Sequence, residues 1–215
     1  MSRRVVAIIQ ARLGSERLPG KSLADLDGKP LISHVVERVR QMRLADVVVA
    51  AIPSSDIPLL RVLLDLYVDT FQGSESDVLS RYVTTAHLHQ ADIVVRVTGD
   101  CPLWDASAGD EVVHAMLDNP DCEFASNDTS VSGWPDGTDA EAFSMSLLDR
   151  AAMADDVTHQ DREHVTPWLR RYARQSIVVR RTADDWSHMK LSVDTDSDLE
   201  RVRGLLRDRS GSVVS

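Results

Sequence analysis

The sequence predicts an α/β fold, built on an open, mostly parallel sheet with helices on both faces. Apolar, β-branched runs recur at "VVAIIQA" (5–11), "DVVVAAI" (46–52) and "DIVVRVTG" (92–99). They are nearly continuous, as strands buried on both faces must be. Stretches with a helical period separate them, and that alternation calls for right-handed crossovers in a Rossmann-like sheet. The 215 residues, 43% of them hydrophobic, suffice for one sizeable core, so a single domain over 1–215 is expected.

After the first strand, "KPLISHVVERVRQM" (29–42) places apolar residues at Leu31, Ile32, Val35, Val36, Val39 and Met42, a helical spacing. A second helix is expected from about Glu75 through "DVLSRYVTTAHLH". From roughly 127 to 185 the rhythm changes to a turn-rich loop, "NDTSVSGWPDGTD", two helical patterns (145–154 and 160–173) and a strand, "SIVVRR" (176–181). This stretch reads as an inserted arm. The βα pattern returns in "MKLSVDTDSDLERVRGLLRD", with a strand ending near Asp194 and a helix starting near Ser197, capped by Asp196 or Ser197. Residues 209–215 read as a frayed tail.

A net charge of −10 argues against general binding to nucleic acid or anionic membranes, which calls for a basic field. Cys101 and Cys122 lack CxxC spacing, so reduced thiols in a cytoplasmic protein are expected. The apolar run after "MSRR" is too short for a signal peptide or a membrane span. An anionic ligand must then be held by a local basic pocket or a metal.

The loop after the first strand, "QARLGSERLPGKS" (10–22), ends like a nucleoside triphosphatase loop but is not one. Counting back from Gly20, Lys21 and Ser22 puts Ser15 where the first Gly belongs, and Pro19 supplies no amide donor inside the wrap. Arg12, Arg17 and Lys21 still crowd a turn with Gly14 and Gly20. That suits an anion pocket, and it also suits a solvated surface loop. Ligands of open α/β sheets sit beyond the carboxyl ends of the strands. This loop, "TGDCP" (98–102) and "VDTDSDL" (193–199) all fall there, which favours the pocket. A single Asp at a strand end is often only a turn cap. Asp100 and Asp194 together, facing an Arg/Lys loop, fit a Mg²⁺ site turned toward a polyphosphate.

These segments carry a resemblance. "IIQARLGSERLPGK" (8–21), "RVTGDCPL" (96–103) and "LSVDTDSDL" (191–199) resemble the nucleotide-sugar cytidylyltransferases that activate 3-deoxy-2-ulosonic acids such as sialic acid and Kdo. "FQGSESDVLSRY" (71–82), "WPDGTDAEAFS" (134–144) and "REHVTPWL" (162–169) resemble the spore-coat-polysaccharide-type branch. The resemblance implies a nucleotide-diphospho-sugar transferase-like fold, Mg²⁺ as cofactor, and CTP with a sugar or sugar-acid acceptor as partners. It implies that the inserted arm pairs two subunits. It places backbone at Ala11 against the base, Arg12 and Lys21 on the triphosphate with Gly14, Ser15 and Arg17 assisting, and Asp100 and Asp194 on the metal. Thr98, counted among the nucleotide-binding residues, stands where the Kdo branch has Gln, so neither base contacts nor the acceptor are copied from that branch.

On the acceptor side the resemblance points to Asp136, Asp139 and Glu141, although three acids near a hairpin also make a solvated turn. Asp139 and Glu141 have strand spacing and so share a face. Arg162 suits an acceptor carboxylate, and His164 suits proton removal or a plain helix contact. The function expected is transfer of CMP to a sugar hydroxyl with release of pyrophosphate, in cell-surface polysaccharide or glycoconjugate biosynthesis. The alternatives are a nucleotidylyltransferase using another nucleotide and a sugar phosphate, or a non-catalytic nucleotide-binding relative.

Overall fold

The computed structural model describes residues 3–181 and 184–211; 182–183, inside the expected arm, and the last four residues of the tail lie outside it. A central seven-stranded sheet organises the chain, in the order β5–β4–β1–β6–β8–β7–β9. β1 (Val5–Gln10) lies parallel between β4 (Val47–Pro53) and β6 (Ile93–Thr98), and β5 (Asp69–Gly73) continues the parallel run beside β4. β8 (Glu141–Ser144) is antiparallel to β6, β7 (Phe124–Ser126) is antiparallel to β8, and β9 (Ser176–Val178) is parallel to β7. A small antiparallel pair, β2 (Asp25–Leu26) and β3 (Lys29–Pro30), stands apart from this sheet.

The period-two alternation of β1 divides the core. Val5, Ala7 and Ile9 join one buried cluster with residues of α1 (Leu31–Val39), α2 (Ile57–Asp65), α4 (Ala106–Asp118) and α8 (Asp196–Gly211). Val6 and Ile8 join the other, with residues of α3 (Val78–Leu88), α5 (Met145–Met153) and α7 (Thr166–Tyr172). Helices therefore cover both faces, and both alternate sets of β1 side chains are shielded from water. Burying apolar surface on each face at ~25 cal/mol per Å² is what holds the layers together.

Three expectations are corrected. "MKLSV" is not a strand of the sheet: it crosses the strand ends in extended form, pinned by Leu191 N–H to Asp136 O (2.6 Å) and Val193 N–H to Asp100 O (2.9 Å). Its hydrogen bonds go to loops, although its alternation looks like a strand. The following helix begins at Asp196, and the cap is Thr195, whose hydroxyl accepts from Asp198 N–H (3.3 Å) while Asp198 Oδ2 accepts from Thr195 N–H (3.1 Å). The helix read over 160–173 is two helices, α6 (His159–His164) and α7, broken at Val165, which has φ +67°. Such a φ is costly for a β-branched residue and ends the first helix.

The stretch 127–185 breaks the βα rhythm as expected, and it also contributes to the main sheet, since β8 and β9 are two of its strands. Trp134 and Trp168 of this stretch are buried. Cys101 and Cys122 are free and buried. Among the described residues no helix is long and apolar enough to cross a membrane.

Candidate active site

The strand order reverses between β1 and β6: successive strands step outward from β1 to β4 and β5, then the chain returns to β6 on the other side. A crevice opens beyond the carboxyl ends at such a switch point. Gln10, Ala11, Arg12, Lys21, Thr98 and Asp100 line it here, with Glu163, His164 and Asp194 closing the far wall, around a volume of about 450 Å³.

The first loop is tied down at several points. Leu13 N–H donates to Asp56 Oδ2 (2.8 Å), Gly20 N–H to Leu13 O (2.9 Å) and the Ser22 hydroxyl to Arg12 O (3.0 Å). Gly20 turns the chain at φ +74°, a conformation in which glycine carries no Cβ penalty. Leu18 N–H reaches the Ser15 hydroxyl at 3.4 Å. A Cβ at Gly14 would lie 2.9 Å from Glu75 Oε1, the movable end of a side chain from the neighbouring loop. On the other strand, Gly99 N–H donates to Gln10 O (2.7 Å), and a Cβ there would meet Ala11 Cβ at 2.7 Å. The backbones of both strand ends thereby touch, and Asp100 emerges beside the first loop.

The centre of the site is Lys21. Its ammonium donates to Asp100 Oδ2 (2.8 Å), to Asp194 Oδ1 (3.2 Å) and to Val193 O (2.8 Å). Its side chain is 12% exposed, so these bonds act in a poorly solvated place. Arg17 adds a second contact to Asp194 Oδ1 (3.0 Å), and Lys190 lies 3.4 Å from its other oxygen. Burial alone would raise the Asp100 carboxyl; the charge of Lys21, its hydrogen bond and that of Thr98 outweigh burial and hold it below the usual carboxylate value. Two carboxylates thus converge on one cation. Among the described residues no cluster of three or more His, Cys, Asp or Glu side chains offers a complete protein cage for a metal. Two carboxylates awaiting further oxygens suit Mg²⁺, which completes its shell with phosphate and water, and do not suit a closed zinc site.

The remaining residues divide by place. Arg12 pairs with Glu163 (3.3 Å) across the crevice. A second hollow of about 390 Å³ shares Arg96, Thr98, Asp100, His164 and Asp194 with the first, and adds Asp136, Asp139, Glu141 and Arg170. His164 and the two central carboxylates therefore stand on the border between the hollows. Arg162 lines neither; it pairs with Asp77 (3.0 Å) at the start of α3. Glu141 is buried and takes Arg96 on one oxygen (2.8 Å) and Arg170 on the other (2.8 Å). Sequence reading passed over Arg96, Arg170 and the Glu163 to Arg12 pair. A signal existed for Arg96, a charge inside an otherwise apolar strand, which demands a partner.

The family model described as cytidylyltransferase matches residues 6–209. The chain belongs to the cytidylyltransferase family. Cytidylyltransferases are nucleotidyltransferases, so the chain falls in an enzyme class, and the site described above lies within the matched region. The spore coat polysaccharide biosynthesis protein SpsF of Bacillus subtilis is 29% identical to this cytidylyltransferase over 210 residues, 94% of this chain and 85% of that protein. A cytidylyltransferase structure from Leptospira borgpetersenii superposes with a TM-score of 0.88 at 29% identity, covering 96% of this chain and 87% of the other. The structure of CMP:2-keto-3-deoxy-manno-octonic acid synthetase complexed with CTP shares the fold, with a TM-score of 0.74 at 21% identity, covering 96% and 99%. The resemblance drawn from the motifs and the expected fold class both hold.

Proposed function

We propose that this cytidylyltransferase transfers CMP from CTP to a hydroxyl of a sugar or sugar acid, releasing pyrophosphate, with Mg²⁺ as cofactor, in the assembly of a cell-surface polysaccharide or glycoconjugate. The observation that carries the reading is the Lys21 ammonium bonded to both Asp100 and Asp194 on the border of two adjoining hollows. One hollow is walled by the first loop and suits the nucleotide. The other suits the acceptor, whose hydroxyl would meet the α-phosphorus at the shared border.

In-line attack there needs alignment and charge neutralisation more than covalent help. Arg12, Arg17 and Lys21 would take the triphosphate oxygens, with Ser15 and Gly14 shaping the loop and backbone at Ala11 and Thr98 lining the nucleotide. Asp100 and Asp194 would hold Mg²⁺, which supplies charge neutralisation at the phosphate oxygens when bound. His164 would accept the hydroxyl proton, and Asp136, Asp139 and Glu141, which line the second hollow, would wall the acceptor. Arg162, paired with Asp77, would act on the acceptor only by leaving that pair.

A nucleotide panel tests the base. CTP with Mg²⁺ should raise the melting temperature more than ATP, GTP or UTP, since a ligand that binds only the folded state stabilises it. Equal shifts with all four would remove the base-specific reading. The reading extends to assembly: segment 127–185 would pair two copies about a two-fold axis. Light scattering should then give a dimer, and a mass near the monomer's 23.8 kDa at micromolar concentration would exclude it.

A further inference from the structure

The reaction as proposed gives Glu163 no task, although it lines the crevice with the first loop. Asp100 and Asp194 line the same crevice, and on that reading both gain a divalent ion when the nucleotide binds. Glu163 gains none: among the described residues it joins no group of three metal-ligating side chains. Its partner is Arg12, whose Nη2 donates to Glu163 Oε1 (3.3 Å). That is the same guanidinium the triphosphate is proposed to use.

Glu163 cannot withdraw with its helix. Arg162, just before it, is paired with Asp77, the N-cap of α3 (3.0 Å). Asp161, almost wholly buried, takes Arg171 (2.9 Å) and closes the capping box of α6 with Thr158. Val165, also buried, follows at φ +67° and ends the helix. The backbone on either side of Glu163 is therefore fixed, and its side chain alone can respond to a change at Arg12. The two side chains are 32% and 41% exposed, so water can take over either partner when the pair opens. Such a pair is weak enough to exchange and close enough to compete.

We infer, on the basis of the cytidylyltransferase reading above, that Glu163 is a counter-ion that competes with the phosphates for Arg12, loosening the hold of the site on CTP and on pyrophosphate. An ionised carboxylate and a phosphate oxygen are both acceptors for a guanidinium, so what one takes the other must give up. Release of product limits turnover in many enzymes, and a carboxylate that takes the arginine back as pyrophosphate departs shortens that step. Glu163 acts through Arg12 and touches no reacting atom, which makes it a positioning residue.

The test is calorimetric titration of CTP and, separately, of pyrophosphate, each with Mg²⁺ and without acceptor, into the full chain, Glu163→Gln, Arg12→Ala and the double variant. Glu163→Gln should bind both ligands about fivefold more tightly, the size of effect an exposed ion pair can hold back, while the melting temperature of the ligand-free protein moves little. In the Arg12→Ala background the same substitution should gain about twofold or less, because the group competed for is gone. Unchanged or weaker binding by Glu163→Gln overturns the inference while leaving CTP use intact, and so does a gain of equal size when Arg12 is absent. A lowered melting temperature with unchanged affinity overturns it too, since the pair would then be purely structural. Failure of the parent protein to bind CTP would instead remove the reading on which the inference rests.

Discussion

Lys21→Ala should lower CTP-dependent pyrophosphate release by about 10²-fold or more with the fold intact, the loss expected when a preorganised charge beside a transferring phosphoryl group is removed. The side chain makes three polar contacts from one nearly buried ammonium, to Asp100, Asp194 and Val193 O. Its removal has two consequences. On the proposed reading the triphosphate loses a cation at the border of the hollows, and two carboxylates face one another with only the exposed Arg17 and the more distant Lys190 beside them. A purely structural lysine would show a lowered melting temperature and an unchanged kcat. The catalytic reading requires the reverse split, a kcat that collapses while the melting temperature moves little. A Lys21→Ala protein at full rate would reduce the cluster to an internal ion pair. Arg12→Ala should fall in the same direction by a smaller factor, because Arg12 is 41% exposed in its pair with Glu163 and must leave it to serve the nucleotide.

The parts of this site that were legible in the sequence are those that depend on strand ends. β1, β4 and β6 announce themselves because burial on both faces leaves no polar alternation, and the residues just past them fall at the carboxyl edge of any parallel sheet. That brings Arg12, the Lys21 loop and Asp100 to one edge, while their roles rest on the family resemblance. β5 escaped because it is an edge strand with the polar sequence DTFQG and no buried residue in its pattern. α2 and α4, β7 and β8 were not marked either; β7 and β8 are three and four residues long, too short for a period to show.

Pairings were harder to read than positions. Arg96 meets Glu141 across 45 residues of sequence, and Arg12 meets Glu163 across 151, so no local pattern records either. Asp194 was placed at the right edge through a wrong element. The segment before it is extended and crosses the strand ends, held by Asp100 O and Asp136 O, so it delivers its carboxylate to the same crevice that a strand would have reached.

Asp194 and Asp198 should fail in opposite ways, and the contrast tests the proposal that Asp194, with Asp100, holds Mg²⁺. Asp198 is buried, and its Oδ2 accepts from Lys190 (2.9 Å), Asp194 N–H (3.0 Å) and Thr195 N–H (3.1 Å) while Oδ1 meets Arg201 (2.8 Å). It reaches Asp194 through the backbone, fixing where that residue's side chain departs. Asp198→Asn keeps an acceptor oxygen but loses the charge that binds two cations, so it should destabilise by about 2 kcal/mol, within the range for hydrogen bonds to charged groups, and leave kcat within about tenfold of the parent below its melting temperature. Asp194 is only partly buried, and its carboxylate faces Lys21 and Arg17 in the crevice. Asp194→Asn should therefore change the melting temperature little and lower Mg²⁺-dependent turnover by about 10³-fold, and Asp100→Asn should match it. The double variant should be hardly worse than either single one, because two ligands of one ion act as a unit and the first loss already disables it. Additive losses would mean that the two carboxylates do separate work. A dispensable Asp194 beside an Asp198 whose loss abolishes turnover without unfolding would place the ion on the cap of α8 and take Lys21 out of the reaction's centre.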